Sequence, residues 1–211
     1  MYTRPDVSFP EFRDDAGAVI PYGDRWGVDG PPEDSYSVVH HGERFQVAWT
    51  LARALVDHLV TTYDVDVIED ASLADGRASD ENLPDVRGPL PGAPAAVRRL
   101  VPRGQGAPLT VVESDLPGVV MLAGVTLSAA APTCGCDACD DRVEDMADEL
   151  EEFAFAVAQG TPWEMVADGG VRAGFGTGSS WGTQTFAQRR ELRALIREAP
   201  AFAPWPLRRD A

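Results

Sequence analysis

The run from Val119 to Leu127 is almost uninterrupted in its apolar character and constrains the fold more than any other part of the chain. A strand that is apolar on both faces needs cover on both sides, so we expect this run at the centre of a sheet. Two other apolar, β-rich runs precede it, Val97 to Val101 and Leu109 to Glu113. Turn signals at 104–106 and 115–118 separate the three runs, which predicts a three-stranded antiparallel meander.

Three other stretches carry apolar residues at the spacing of amphipathic helices. The first helix is expected over residues 42–63, the second from Val143 to Gln159, and the third around Leu192, Leu195 and Ile196. A short alternating segment, 64–69, is expected to add a strand. The fold class is therefore α+β: one domain over residues 1–211, with a small, mainly antiparallel sheet packed with an N-terminal, an acidic and a C-terminal helix.

The second helix is strongly acidic on its solvent face, because carboxylates recur at i,i+4 spacing, which is unfavourable in an isolated helix. The third helix carries a ridge of arginines at Arg190, Arg193 and Arg197. We expect the two helices to face each other, since this pairing would offset both charge patterns.

Three segments lack helical or strand periodicity. Residues 1–41 predict an extended arm that lies over the core, because this stretch is rich in aromatic residues. Residues 70–96, rich in proline, glycine and aspartate, predict a flexible loop. Residues 167–183 predict a glycine-rich loop; without a Gly-Lys-Ser/Thr motif, a phosphate-binding role assisted by Arg172 is less favoured than plain flexibility.

The formal net charge of −16 limits the classes of partner that the protein can bind. Such a negative field disfavours nucleic acid and anionic membrane surfaces, whereas a protein partner for the acidic face is compatible with it. The first residues lack the pattern of a signal peptide, and no apolar run has the length of a membrane span. Three cysteines make a disulfide framework unfavourable, so we expect a cytoplasmic protein with reduced thiols.

All three cysteines lie in one short motif, Cys134-Gly135-Cys136-Asp137-Ala138-Cys139, between an apolar run and the acidic helix. Three thiolates at this spacing can converge on one Zn²⁺, which needs one more ligand from elsewhere in the fold. His58, three residues after Leu55 on the first helix, is our candidate for that ligand; His40, His41 and a nearby carboxylate are alternatives. The preferred function is a metal-binding or interaction module with a structural three-cysteine zinc site.

Two other interpretations of the motif stay open. Cys136 and Cys139 form a Cys-x-x-Cys pair before a helix, which is typical of thiol redox enzymes. The neighbouring carboxylates of Asp137, Asp140 and Asp141 are expected to oppose thiolate formation. Reduced cysteines used only for packing, with Asp137 as the helix N-cap, are the third possibility. A hard cation held by the acidic residues is less favoured, because the spacing of a calcium loop is missing.

Several segments resemble an uncharacterised family of small actinobacterial proteins, catalogued as a domain of unknown function. The resemblance rests on the segments Tyr22-Gly23-Asp24-Arg25-Trp26, Pro32-Glu33-Asp34-Ser35-Tyr36-Ser37-Val38, Tyr63-Asp64-Val65, Pro117-Gly118-Val119-Val120, Cys134-Gly135-Cys136-Asp137-Ala138-Cys139-Asp140 and Trp205-Pro206. It implies no activity. It implies that residues 22–38 belong to the folded unit, which argues against a free arm in that region.

Overall fold

A five-stranded antiparallel sheet lies at the centre of the protein, with the strand order β3-β4-β5-β6-β7. Its strands are β3 (Val65–Glu69), β4 (Pro94–Pro102), β5 (Leu109–Ser114), β6 (Gly118–Ala123) and β7 (Leu127–Ala131). The structure is a computed structural model and describes residues 1–70, 72, 93–167, 170–176, 178–183 and 186–209. The α+β class is confirmed.

The expectation of a three-stranded meander is wrong, because the sheet has five strands. The strand predicted at 64–69 is present as β3 and pairs antiparallel with β4, which adds one strand at the edge. The apolar run Val119 to Leu127 supplies two strands, because Gly124 adopts a left-handed conformation (φ +56°) and turns the chain from β6 into β7. All six residues of β6 are buried, as the apolar character of both faces predicts.

The three predicted helices are confirmed as α1 (Val47–Thr62), α2 (Val143–Gln159) and α3 (Phe186–Glu198). A 3-10 turn over Gly42–Gln46 leads into α1. Helices α1 and α2 contact each other and β6, and α2 also packs on β7. Among the helices of the described residues, none combines the length and the apolar character that a membrane span requires.

The main core lies between the two long helices and one face of the sheet. Alternate residues of β5 and β6 point to opposite faces: Val111 and Met121 join the main core, whereas Val112 and Leu122 belong to a smaller cluster on the other face. Leu51, Leu55, Leu59, Leu150 and Phe153 from the helices are each no more than 1% exposed, and they complete the main core.

A second, three-stranded antiparallel sheet occupies much of the segment expected to be a glycine-rich loop, 167–183. Its strands are β8 (Trp163–Ala167), β9 (Gly170–Phe175) and β10 (Gly178–Thr183), in the order β10-β9-β8. The loop expectation is corrected because Ala173 is buried in the main core and Phe175 packs edge-on against Phe153 of α2, with ring centroids 4.8 Å apart.

Of the flexible loop expected at 70–96, residues 94–96 begin β4, whereas residues 71 and 73–92 lie outside the described residues. A small hairpin, β1 (Phe12–Arg13) with β2 (Val19–Ile20), gives the N-terminal segment some regular structure.

The acidic face of α2 meets an arginine from the opposite end of the chain. Arg4 pairs with Asp148 and, at 2.6 Å, with Glu151. Helix α3 contacts β8, and among the described residues no ion pair joins Arg190, Arg193 or Arg197 to α2, so the expected pairing of the two helices is not seen there.

The C-terminal tail packs over the end of α2. Trp205 is 3% exposed, its backbone N–H donates to Ala158 O at 2.8 Å, and its ring Nε1 donates to Ala107 O at 2.9 Å. Gly160, in a left-handed conformation at φ +70°, ends α2 at the place where the tail crosses the helix.

Candidate metal centre

The three cysteines lie in the loop that joins β7 to α2, and their sulfur atoms converge. Sγ of Cys136 lies 3.3 Å from Sγ of Cys134 and 3.5 Å from Sγ of Cys139. All three sulfurs lie within 4.8 Å of one another. Cys134 and Cys139 are exposed and Cys136 is partly exposed, so the cluster opens to solvent.

The loop is held in place by Asp137, whose side chain is 2% exposed. Its Oδ1 accepts the backbone N–H of His40 at 3.0 Å, and its Oδ2 lies 2.6 Å from the ring Nδ1 of His40. Two arginines face the same carboxylate: Arg25 Nη1 is 3.2 Å from Oδ2, and Arg44 Nη2 is 3.5 Å from Oδ1. Because Asp137 is used in this network, it is not the N-cap of α2, a position that Arg142 occupies.

Arg44 is the most deeply buried charged side chain of this network, at 1% exposure. Its guanidinium carbon lies 4.2 Å from the ring centroid of Tyr22 and 4.1 Å from that of Phe45, close enough for cation–π attraction. The same guanidinium donates to the carbonyl oxygens of His40 and His41. Arg44 therefore joins the start of α1 to the cysteine loop.

Burial alone would raise the pKa of Asp137, but contacts from His40, Arg25 and Arg44 outweigh burial and lower its pKa below the usual range. Asp137 is therefore an ionised carboxylate whose charge is compensated inside the protein.

Asp140 makes a second attachment of the same kind. Its side chain accepts the backbone N–H groups of Gly23 at 2.9 Å and of Arg25 at 2.7 Å. Asp140 itself has a positive φ of +47°, an unusual backbone conformation that aspartate tolerates better than most residues. Both oxygens of its carboxylate are thus occupied by the segment that contains Tyr22 to Trp26.

Further hydrogen bonds attach residues 26–38 to the cysteine loop. The ring Nε1 of Trp26 donates to Asp137 O at 2.9 Å. The N–H of Asp137 donates to Val38 O at 2.8 Å, and that of Ala138 donates to Ser35 O at 3.2 Å. Residues 22–38 therefore pack against the cysteine loop and belong to the folded unit.

The three sulfurs influence one another's protonation. Burial acts to raise the pKa of the Cys136 thiol, but hydrogen bonds from the Cys134 and Cys139 thiols and from the backbone of Cys139 and Ser37 outweigh burial and lower it to about 7. Hydrogen bonding with Cys134, followed by burial, raises the pKa of Cys139 to about 12. The cluster thus favours a thiolate at its central member. The aspartates were expected to raise the pKa of Cys136. They do not prevent its lowering, because the carboxylates of Asp137 and Asp140 point toward residues 23–44.

The spacing of the sulfurs is close to that of a metal site. Zinc–thiolate bonds of about 2.3 Å in a tetrahedron place sulfurs about 3.8 Å apart. The separations of 3.3 Å and 3.5 Å differ from this value by a few tenths of an ångström, which thiol rotation can supply. The three side chains therefore fit three positions around one soft metal ion.

The histidines lie elsewhere or are engaged. His58 packs against Tyr2 and Phe155, with ring centroids 5.3 Å and 5.9 Å away. His41 stacks on Phe12, with centroids 4.5 Å apart, and His40 contacts Asp137. Among the described residues, the cluster that brings metal-ligating atoms together contains the three sulfurs and no histidine. The structure thus unites Cys134, Cys136 and Cys139 and leaves His58 outside the group.

The residues that sequence reasoning missed are Arg25, Trp26 and Arg44, which position the loop without taking part in its chemistry. No periodicity marks Arg25 and Trp26, because they lie in irregular backbone, and Arg44 lies in the short 3-10 turn before α1. The signal available from sequence was the position of these three residues within or near the segments that carry the family resemblance.

A family model described as "Family of unknown function (DUF6226)" matches residues 8–209. Searches of curated proteins and of solved structures each found no significant match.

Proposed function

Since the chain belongs to the DUF6226 family, whose function is unknown, we propose a function from the site itself: the protein is a metal-binding module that holds zinc with Cys134, Cys136 and Cys139. The observation that carries the proposal is the convergence of three sulfurs within 4.8 Å on a loop held by buried carboxylates. Soft thiolates select soft or borderline metals, of which Zn²⁺ is the common structural ion.

The fourth zinc position is assigned to a water molecule in this proposal. His58 was the candidate from sequence, but its ring packs against Tyr2 and Phe155, and His41 is stacked on Phe12. His40 keeps Nδ1 on Asp137. The exposure of Cys134 and Cys139 to solvent supports water as the fourth ligand.

The zinc would act as a clip on a loop that the protein already holds. Asp137 and Asp140 fix the loop through backbone and arginine contacts, so the metal adds stability rather than creating the fold. We place the protein in the cytoplasm, where reducing conditions keep the thiols available. The charge of −16 supports a role that involves neither nucleic acid nor an anionic membrane, and leaves a protein partner for the acidic face.

Metal analysis of protein purified without a histidine tag tests the proposal. We expect about one equivalent of zinc in the wild type, because structural thiolate sites bind tightly at neutral pH. Cys136→Ser should lose the metal, whereas the matched control His58→Gln should keep it. Less than about a tenth of an equivalent after zinc reconstitution of reduced wild type would exclude the site.

A second candidate, thiol redox chemistry, is favoured by two observations: the 3.5 Å between the sulfurs of Cys136 and Cys139, and the lowered pKa of Cys136, about 7. In such a reaction, thiolate Cys136 attacks a substrate disulfide and releases one thiol. Cys139 then attacks the mixed disulfide, so a Cys136–Cys139 disulfide forms as the second thiol leaves.

Alkylation by iodoacetamide at a series of pH values, located by tandem mass spectrometry, tests the redox candidate on metal-free protein. Redox function requires Cys136 to react with a midpoint near pH 7 and to form a disulfide with Cys139 in a glutathione buffer. A midpoint at or above the free cysteine value of about 8.5 removes this candidate and leaves the zinc proposal untouched.

A further inference from the structure

The cysteine cluster has three soft donors and no fourth donor of that kind. The chain contains three cysteines and three histidines, and all six lie within the described residues. Only the sulfurs come together in the cluster that the described residues form. Within the described residues the fourth position of a tetrahedral ion is thus left to water, whereas an ion that needs only three donors is satisfied by the sulfurs alone.

The separations of Cys136 Sγ from the other two sulfurs also suit an ion that needs only three donors. With metal–sulfur bonds of about 2.3 Å, sulfurs 3.3 Å and 3.5 Å apart subtend angles of about 90–100° at the ion. These angles are narrower than those of a tetrahedron. They lie in the range of a trigonal pyramid, in which a lone pair of the central ion takes the fourth position, while thiol rotation brings the same sulfurs to the tetrahedral spacing.

The loop also presents the sulfurs ready for binding. Asp137 and Asp140 fix the backbone on either side of Ala138 and Cys139, and Cys134 and Cys139 are exposed. Preorganised donors increase affinity because little conformational freedom is lost when the ion binds. A solvated ion can reach the cluster directly from the surface.

We propose that Cys134, Cys136 and Cys139 bind a trivalent, lone-pair thiophile of the arsenite class through three thiolates. This inference rests on the same three sulfurs as the proposed function, and it deepens that function by naming a second ion class that they can hold. Arsenous acid reacts with three thiols to give the trithiolate and three water molecules. Three As–O and three S–H bonds break, three As–S and three O–H bonds form, and arsenic stays trivalent.

Native mass spectrometry of the reduced, metal-free full chain titrated with sodium arsenite tests the inference by counting thiolates. We expect one adduct whose mass equals one arsenic atom less three hydrogens. Each of Cys134→Ser, Cys136→Ser and Cys139→Ser should weaken arsenite binding by about 10²-fold. A third thiol tethered to the same chain typically raises the affinity by about this factor. His58→Gln should bind as the wild type does. Circular dichroism of each variant verifies that it is folded.

The same titration with zinc alone separates this inference from the proposed function. An arsenic adduct that retains a hydroxyl group, which reports two thiolates, overturns the inference, and so does the absence of any adduct. If zinc binds and arsenite does not, the proposed function stands and the inference fails. If arsenite binds through three sulfurs and zinc does not bind, the inference stands and the zinc function fails.

Discussion

Asp137 Oδ2 lies 2.6 Å from the ring Nδ1 of His40, and this contact fastens the cysteine loop to the segment that precedes α1. The other oxygen of the same carboxylate accepts the backbone N–H of His40 and faces Arg44. One buried side chain therefore joins residues almost a hundred positions apart in sequence. The position of the cysteines is set by this network and does not depend on a metal ion.

Replacement of Asp137 by alanine should strongly destabilise the protein. It removes one partner of a buried charge network and leaves Arg44, which is 1% exposed, without its carboxylate. Breaking a buried pair from one side typically costs about 3–5 kcal/mol. Urea unfolding measures the change, with Asp145→Ala on the exposed face of α2 as the matched control. A decrease in the free energy of unfolding below about 1 kcal/mol, which is the range of surface substitutions, would show that the network contributes little to stability.

The stabilisation from Asp137 should disappear in acid. Because its folded pKa lies below the unfolded value of about 3.9, the ionised form contributes stability above pH 4 and loses that contribution as the pH falls through the folded pKa. The difference in free energy of unfolding between wild type and Asp137→Asn should be constant from pH 5 to about pH 4 and shrink below it. Urea unfolding at each pH measures this difference. A difference that grows on acidification would contradict the lowered pKa.

Removal of zinc should leave the fold intact. The loop contacts of Asp137 and Asp140 remain without metal, so the metal-free protein should keep its circular dichroism spectrum and unfold cooperatively. Zinc should raise the free energy of unfolding by binding alone, about 2.7 kcal/mol at a free zinc concentration one hundred times the Kd. Thermal unfolding with and without a chelator measures the effect. Loss of cooperative unfolding in the chelator would mean that zinc builds the fold.

Gly160 should tolerate substitution much less than Gly17, although both have left-handed backbones, with φ +70° and +82°. A Cβ at Gly160 would lie 2.2 Å from the backbone carbon of Ala203, whereas a Cβ at Gly17 would meet nothing within 4 Å. Gly17→Ala should therefore cost about 1–2 kcal/mol from backbone strain at most. Gly160→Ala should cost about 1–3 kcal/mol more, the usual penalty for overpacking. Chemical unfolding compares them, and equal losses would argue against tight docking of the tail.

The helices and most of the central sheet could be predicted from sequence because their apolar residues follow a regular period. The burial of Leu51, Leu55 and Leu59 in α1 is an example, since these residues recur at spacings of four and place one face of the helix in the core. The convergence of the cysteines also followed from their short spacing, because three thiols within six positions have few ways to separate.

Two features could not be predicted from sequence, because they depend on tertiary contacts. Strand β9 (Gly170–Phe175) contains two glycines and carries weak strand propensity, yet Ala173 and Phe175 pack against the core and hold it in a sheet. Residues 22–38 have no period, and their order comes from Asp137 and Asp140, which lie about a hundred positions away in the chain. The choice of His58 as a ligand rested on helix periodicity alone. Periodicity indicates the face of the helix on which a residue lies, but not the elements that this face contacts.

Zinc-edge X-ray absorption of the wild-type protein, purified without a histidine tag and reconstituted with one equivalent of zinc, tests the central claim most directly. We expect three sulfur neighbours at about 2.3 Å and one oxygen at about 2.0–2.2 Å. The Cys136→Ser variant, as a control, should lose the sulfur signal of a three-thiolate shell. A shell dominated by nitrogen and oxygen in the wild type would contradict the assignment of Cys134, Cys136 and Cys139 as the metal ligands.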